Sequence, residues 1–283
     1  MNQGHFSPPR WQILPPVVKN LMIINGILYF ATVVFEGKLG LDLNRYLALY
    51  FPTSEYFVPH QYITHLFMHG GLLHLFSNMF ALWMFGNILE NVWGPRRFLT
   101  FYLVTGIGAA VIHTFATWYD LVQMRQQIEF YLSSGDPVDF RELLFRYGRY
   151  IDPYSNDQLK QFISEWMSMP ESEMLRSQAR EFGEELLRIK ENIPTVGASG
   201  AVFGVLLAFG MMFPDTIIYI YFAIPMKAKW FVLLYGLFEL YSGFRSNPDD
   251  NVAHFAHLGG MLFGYLLIRH WRRTSFHQNR DYF

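Results

Sequence analysis

The chain contains no cysteine, which removes disulfides, thiolate catalysis and cysteine-ligated metal from consideration. Charge is scarce as well. Only 16% of the 283 residues are Asp, Glu, Lys or Arg, against about 25% in an ordinary soluble domain. No small-residue cleavage site precedes the first apolar run, and Met1 to Lys19 carries Pro8, Pro9, Pro15 and Pro16, so a retained cytoplasmic lead-in is expected rather than a removable signal. Internal repeats and low-complexity stretches are missing too. What the chain has in abundance is apolar residues: 52% hydrophobic, 18% aromatic. Mean hydropathy is nevertheless only +0.14. The cause is local, because residues 120–192 hold 14 acidic and 9 basic residues, a polar insert in an apolar and mildly basic body.

A spanning helix needs roughly 20 mostly apolar residues, and shorter ones occur where they line a cavity. Six segments qualify, at about 18–36, 68–90, 98–119, 197–213, 229–244 and 252–270. Phe213 to Lys229 is apolar but interrupted by Pro214 and Pro225, and reads as an interfacial connection, because proline breaks regular helix. The expected fold is all-α: a polytopic membrane protein with a six-transmembrane-helix bundle and a helical extramembrane insert. Its parts are a lead-in (1–17), spans 1–3 (18–119), the insert (120–192), spans 4–6 (193–270) and a basic tail (271–283). Lysine and arginine in short loops favour both termini inside, because Arg10, Lys19, Arg96, Arg97, Lys227, Lys229, Arg269, Arg272 and Arg273 then share the cytoplasmic side. The expected location is the plasma (inner) membrane. In the insert, Arg141 to Tyr150 and Leu175 to Asn192 have helical apolar spacing, with breaks at Ser133–Pro137 and Ile151–Pro153. Its charged faces read as solvated surface, and none of its residues signals a docking role.

Three constellations carry chemistry. Gly197-Ala198-Ser199-Gly200 opens the fourth apolar segment and Ala256-His257-Leu258-Gly259-Gly260 lies in the sixth. Gly200/Gly204 and Gly260/Gly264 form small-xxx-small pairs, which let helices approach closely enough for Ser199 and His257 to meet. A serine within reach of a histidine is a candidate nucleophile and base. The backbone N–H groups of Ala198 and Ser199 are expected first-turn donors. On the second segment, His74 and Asn78 are four apart and share a helix face. They serve either as neutral oxyanion donors or as polar glue between helices. Phe203, one turn after Ser199, is placed to stack on the imidazole. His254 reads as a loop-side histidine, Asp249 and Asp250 as a solvated turn rather than a third triad member, and Glu90 and Glu239 as lying near span ends or packing positions. His65 and His69 have metal-ligand spacing without an interleaved carboxylate, a weak signal. A client-binding membrane protein on the same fold, or a transporter, is the rival class.

Together these residues resemble the rhomboid family of intramembrane serine proteases. The motifs His74-x-x-x-Asn78, Glu90-x-x-x-Gly94, Gly197-x-Ser199-Gly200 and Ala256-His257-x-x-Gly260 occur in the family's order. The resemblance covers the spans and excludes the insert and both tails. It implies a catalytic dyad of Ser199 as nucleophile and His257 as general base, with an oxyanion site from His74, Asn78 and the backbone of Ala198 and Ser199. Gly197, Gly200, Gly260, Gly264 and Phe203 are expected to support that site. It further implies cleavage of substrate transmembrane segments near their external ends, through an acyl-enzyme. No cofactor, no metal and no nucleic-acid partner is expected; the partners are membrane-protein substrates and the bilayer. The chain departs from the family at His60-Gln61, where many members carry Trp-Arg, and at Phe203, where Tyr is frequent.

Overall fold

The computed structural model describes residues 11–147, 153–220, 223–245 and 253–278. Asp249 and Asp250 lie outside the described residues, as do Met1–Arg10, Ile151, Asp152 and Arg280.

Helix α1 (Pro16–Leu39) starts on a proline, whose missing N–H costs nothing in a first turn, and ends at Gly40 in the left-handed region (φ 64°). Its first amides are met by a distant carboxylate: Val17 and Val18 N–H donate to the two oxygens of Glu90, both at 2.8 Å. Much of the helix surface is bare and apolar, with Ile23, Ile24, Ile27, Phe30 and Val33 exposed. Such a face suits hydrocarbon rather than water. Two short helices, α2 (Asn44–Leu47) and α3 (Gln61–Thr64), and a 3₁₀ turn (His65–Phe67) build the first loop. Fully buried Gln61 organises it, accepting from Val58 N–H at 3.1 Å and donating to Tyr56 O at 2.8 Å. His60 contacts Tyr46 O at 2.9 Å. The loop is thus held by buried Gln61 from within and by exposed His60 at its surface.

The second span runs from Leu72 to Trp93 as α4 (Leu72–Ala81), a π-helical turn (Leu82–Gly86) and α5 (Asn87–Trp93). Gly94 (φ 80°) then breaks the chain direction, and α6 (Pro95–Ser134) follows. Pro16–Leu39, Leu72–Trp93 and Pro95–Ser134 are each long and apolar enough to cross a membrane.

Helix α6 does not stop at residue 119. It runs unbroken for 40 residues. At 1.5 Å per residue that is about 60 Å, twice the ~30 Å of a hydrocarbon core. Its distal half supplies Leu121, Met124 and Ile128 to a second apolar core, completed by α7 (Pro137–Tyr147), α8 (Pro153–Ser168) and α9 (Glu173–Glu191). Phe140, Leu143 and Trp166 at its centre are inaccessible to solvent or nearly so. Ser172 caps α9 by accepting from Leu175 N–H. The insert is helical over 141–147 and 175–191 of the two segments whose apolar spacing indicated it, with 148–150 outside the described residues, and it turns at Gly135 (φ 66°).

Helix α10 (Ser199–Met212) has 14 residues and is almost wholly buried. The segment after it is not helical and carries two short strands. Strand β1 (Ile217–Ile220) pairs antiparallel with β2 (Ile224–Lys227), Tyr219 opposite Pro225. Both strands are edges, so the proline forfeits no ladder bond that a neighbour would need. At the hairpin's base the ammonium groups of Lys229 and Lys227 hold the exposed Asp215 carboxyl below its usual range. Helices α11 (Ala228–Arg245) and α12 (His254–Gln278) close the bundle. The core is the triple contact of α6, α10 and α12, which only small residues permit. A Cβ on Gly260 would collide with the Gly200 carbonyl, one on Gly200 with Ala109, and one on Gly204 would lie 2.7 Å from Thr105. The architecture is a helical polytopic membrane fold.

Candidate active site

The close approach of α10 and α12 brings the serine and the histidine together. Ser199 Oγ lies 2.8 Å from His257 Nε2. Ser199 is half-buried and His257 is buried. Phe203 stacks on the imidazole with ring centres 4.0 Å apart and planes 8° from parallel, so the expected stacking is present without a tyrosine hydroxyl.

The approach to Ser199 is set by Gly197, whose φ of 127° lies where side chains are strained. A Cβ there would also sit 2.9 Å from His74 Nε2 and 3.7 Å from Ser199 Oγ. That glycine therefore leaves room for His74 beside the serine. Gly197 N–H donates to His65 O, and Leu49 and Thr195 exchange backbone bonds, so the first loop grips the strand that leads into α10. Ala198 caps α10 and Ser199 is its first residue; their N–H groups have no helical carbonyl behind them. One turn beyond His74 on α4, Asn78 is 5% exposed, and its Nδ2 has no hydrogen-bond partner among the described residues. A buried amide donor left open is costly as mere packing and useful as a donor to a transient anion.

Glu239, read as a span-end or packing residue, and His254, read as loop-side, both lie beside the serine–histidine pair. Glu239 of α11 is 2% exposed, and its Oε2 receives His257 Nδ1 at 2.9 Å and His254 Nδ1 at 2.6 Å. His254 is the buried first residue of α12 rather than a loop-side histidine. The donor atoms of Glu239, His254 and His257 lie within 4.8 Å of one another, near enough to share an ion, but here both imidazoles are engaged by the carboxylate. The signal for Glu239 was in the spacing of α11. Ala228, Val232 and Glu239 form its buried stripe, whereas Trp230, Leu233, Leu234, Leu237 and Phe238 are exposed. A lone carboxylate on the buried face of an apolar helix needs a partner.

The Rhomboid domain family model matches residues 57–121 and 175–273, more than half the chain and all four helices that carry the site's residues, α4, α10, α11 and α12. The chain belongs to the rhomboid family. The match stops at residue 121 and resumes at 175, so it takes in Leu121 and the α9 residues of the second core and leaves out α7 and α8. Among its relatives, an uncharacterized mitochondrial rhomboid protein of Schizosaccharomyces pombe is 27% identical over 75% of this chain and 52% of its own length. Rhomboid-like protein 11, chloroplastic, of Arabidopsis thaliana is 33% identical over 32% of this chain and 30% of its own. The rhomboid protease AarA of Providencia stuartii is 26% identical over 36% of this chain and 37% of its own. The matched region thus spans about half, or less, of the length of these rhomboid relatives.

Proposed function

We propose that this rhomboid protein is an intramembrane serine endopeptidase, hydrolysing peptide bonds in or near the transmembrane segments of membrane proteins. The observation that carries the reading is the 2.8 Å contact between Ser199 Oγ and His257 Nε2 inside an apolar bundle. In this mechanism Ser199 attacks the scissile carbonyl while neutral His257 takes the hydroxyl proton. His74, Asn78 and the Ala198 and Ser199 amides donate to the oxyanion. The amine leaves with the proton from His257, and water hydrolyses the acyl-enzyme by the same steps in reverse. Gly197 keeps the pocket open, Gly200, Gly260 and Gly264 keep the helices close, and Phe203 holds the imidazole flat. A helix of 14 residues is about 21 Å long, so α10 cannot cross a ~30 Å core, which supports a serine set below the surface in a cavity that water enters.

The domain division of the sequence reading goes with this proposal: a lead-in (1–17), two blocks of spans (18–119 and 193–270), an extramembrane insert (120–192) and a basic tail (271–283). The change at 119/120 is one of surroundings within a continuous helix. Both termini share the Lys/Arg-rich cytoplasmic side of a plasma (inner) membrane, a topology supported by the charge bias alone. The partners are membrane-protein substrates and lipid, with no cofactor.

The test is proteolysis of a single-span reporter in proteoliposomes. Wild type is expected to cleave it, and Ser199→Ala and His257→Ala to leave it whole. Equal cleavage by wild type and Ser199→Ala removes the reading.

A further inference from the structure

Helix α12 presents His254 and His257 in its first turn, where the macrodipole is positive. When His257 accepts the serine proton it becomes a buried imidazolium, at the end of a helix that opposes it. Phe203 covers one ring face and supplies orientation but no charge. The only carboxylate among the described residues that hydrogen-bonds to this imidazole is Glu239. It reaches the ring from the side opposite the serine.

We propose that Glu239 is a positioning residue that makes the Ser199–His257 pair a three-membered relay, with His254 as its clamp; this rests on the protease reading above. The carboxylate accepts from Nδ1–H, so the tautomer is fixed with the Nε2 lone pair facing Ser199 Oγ. Two N–H donors converge on one oxygen, the arrangement expected of an ionised carboxylate, which accepts and cannot donate. During attack the hydroxyl proton moves to His257 Nε2 and stays there. Glu239 remains ionised and offsets the new positive charge. His254 makes no contact with Ser199; it holds Oε2 in place through the shorter of the two bonds.

The experiment measures kcat and KM for reporter cleavage by wild type, Glu239→Gln and Glu239→Asp, with thermal stability of each. Gln keeps the shape and an acceptor oxygen but removes the charge. Its kcat is expected to fall about 10–100-fold, the difference between charge-assisted and neutral hydrogen bonding, with KM within about twofold. Asp restores the charge and is expected to recover part of kcat. A Gln variant that is less stable but turns over at the wild-type kcat would reduce Glu239 to a tie between α11 and α12 and overturn the proposal. If Gln does not fold, Asp is compared directly with Glu239→Asn, and equal kcat in that pair overturns it as well. Failure of the underlying protease reading looks different: wild type itself then shows no Ser199-dependent cleavage, and both fall together.

Discussion

Two glutamates of this chain are equally buried, at 2% exposure, and do different things. Glu90 sits at the end of the second span, where both its oxygens accept backbone N–H groups from the first turn of α1. Its charge answers the positive end of a helix, and it joins spans one and two. Glu239 sits on α11, where one oxygen accepts two imidazole N–H groups from the first turn of α12. Burial and residue type are the same; the partner decides. A carboxylate on amides is a cap, whose loss is felt as stability. On the protease reading proposed above, a carboxylate on an imidazole that also touches a serine is coupled to a proton transfer, and its loss is expected to be felt as rate.

The contrast can be broken or sharpened in order of effect. The largest is at the proposed nucleophile: Ser199→Ala is expected to abolish cleavage with little loss of thermal stability, since the buried packing of α10 is made by the residues that follow Ser199. Gel analysis of reporter cleavage beside a melting curve checks it. Next comes the oxyanion donor, where Asn78→Ala should lower kcat by about 10²–10³. Because its Nδ2 has no partner to lose, the melting temperature should hold or rise. A fall in stability without a fall in kcat would return Asn78 to the glue reading. Removing the clamp, as His254→Ala, should lower kcat less than Glu239→Gln does, because Glu239 still reaches His257. The smallest effect on rate is expected at the cap. Glu90→Gln should leave the kcat of folded enzyme unchanged while lowering stability by about 1.5–3 kcal/mol, the range for hydrogen bonds to a charged group. Should Glu90→Gln and Glu239→Gln behave alike in both assays, the distinction drawn here between cap and relay would be lost.

The serine, the histidine and the stacking phenylalanine were legible because small residues at four-residue spacing mark helices that must touch, and two such pairs followed Ser199 and His257. The short fourth apolar segment and the helical insert were legible for similar reasons of length and period. Three features were not. The hairpin of β1 and β2 was hidden by Pro225, which reads as a breaker unless the strand is known to be an edge. The continuity of α6 past residue 119 was hidden by the onset of charge, because a helix that leaves the bilayer changes its composition and keeps its period. Glu239 and His254 were misplaced because they are on different helices, and no local spacing records which side chains a tertiary fold brings face to face. The buried stripe of α11 was the available clue, and only the assembled bundle gave it a partner.

The most direct measurement is mass-spectrometric mapping of the adduct formed when the detergent-solubilised protein meets a fluorophosphonate. An activated serine requires a base within proton-transfer distance, and only Ser199 has His257 Nε2 at 2.8 Å. The expected result is a single phosphonylated residue, Ser199, with labelling lost in His257→Ala. Labelling of folded wild type at another serine, or labelling of Ser199 that is indifferent to His257, would contradict the account.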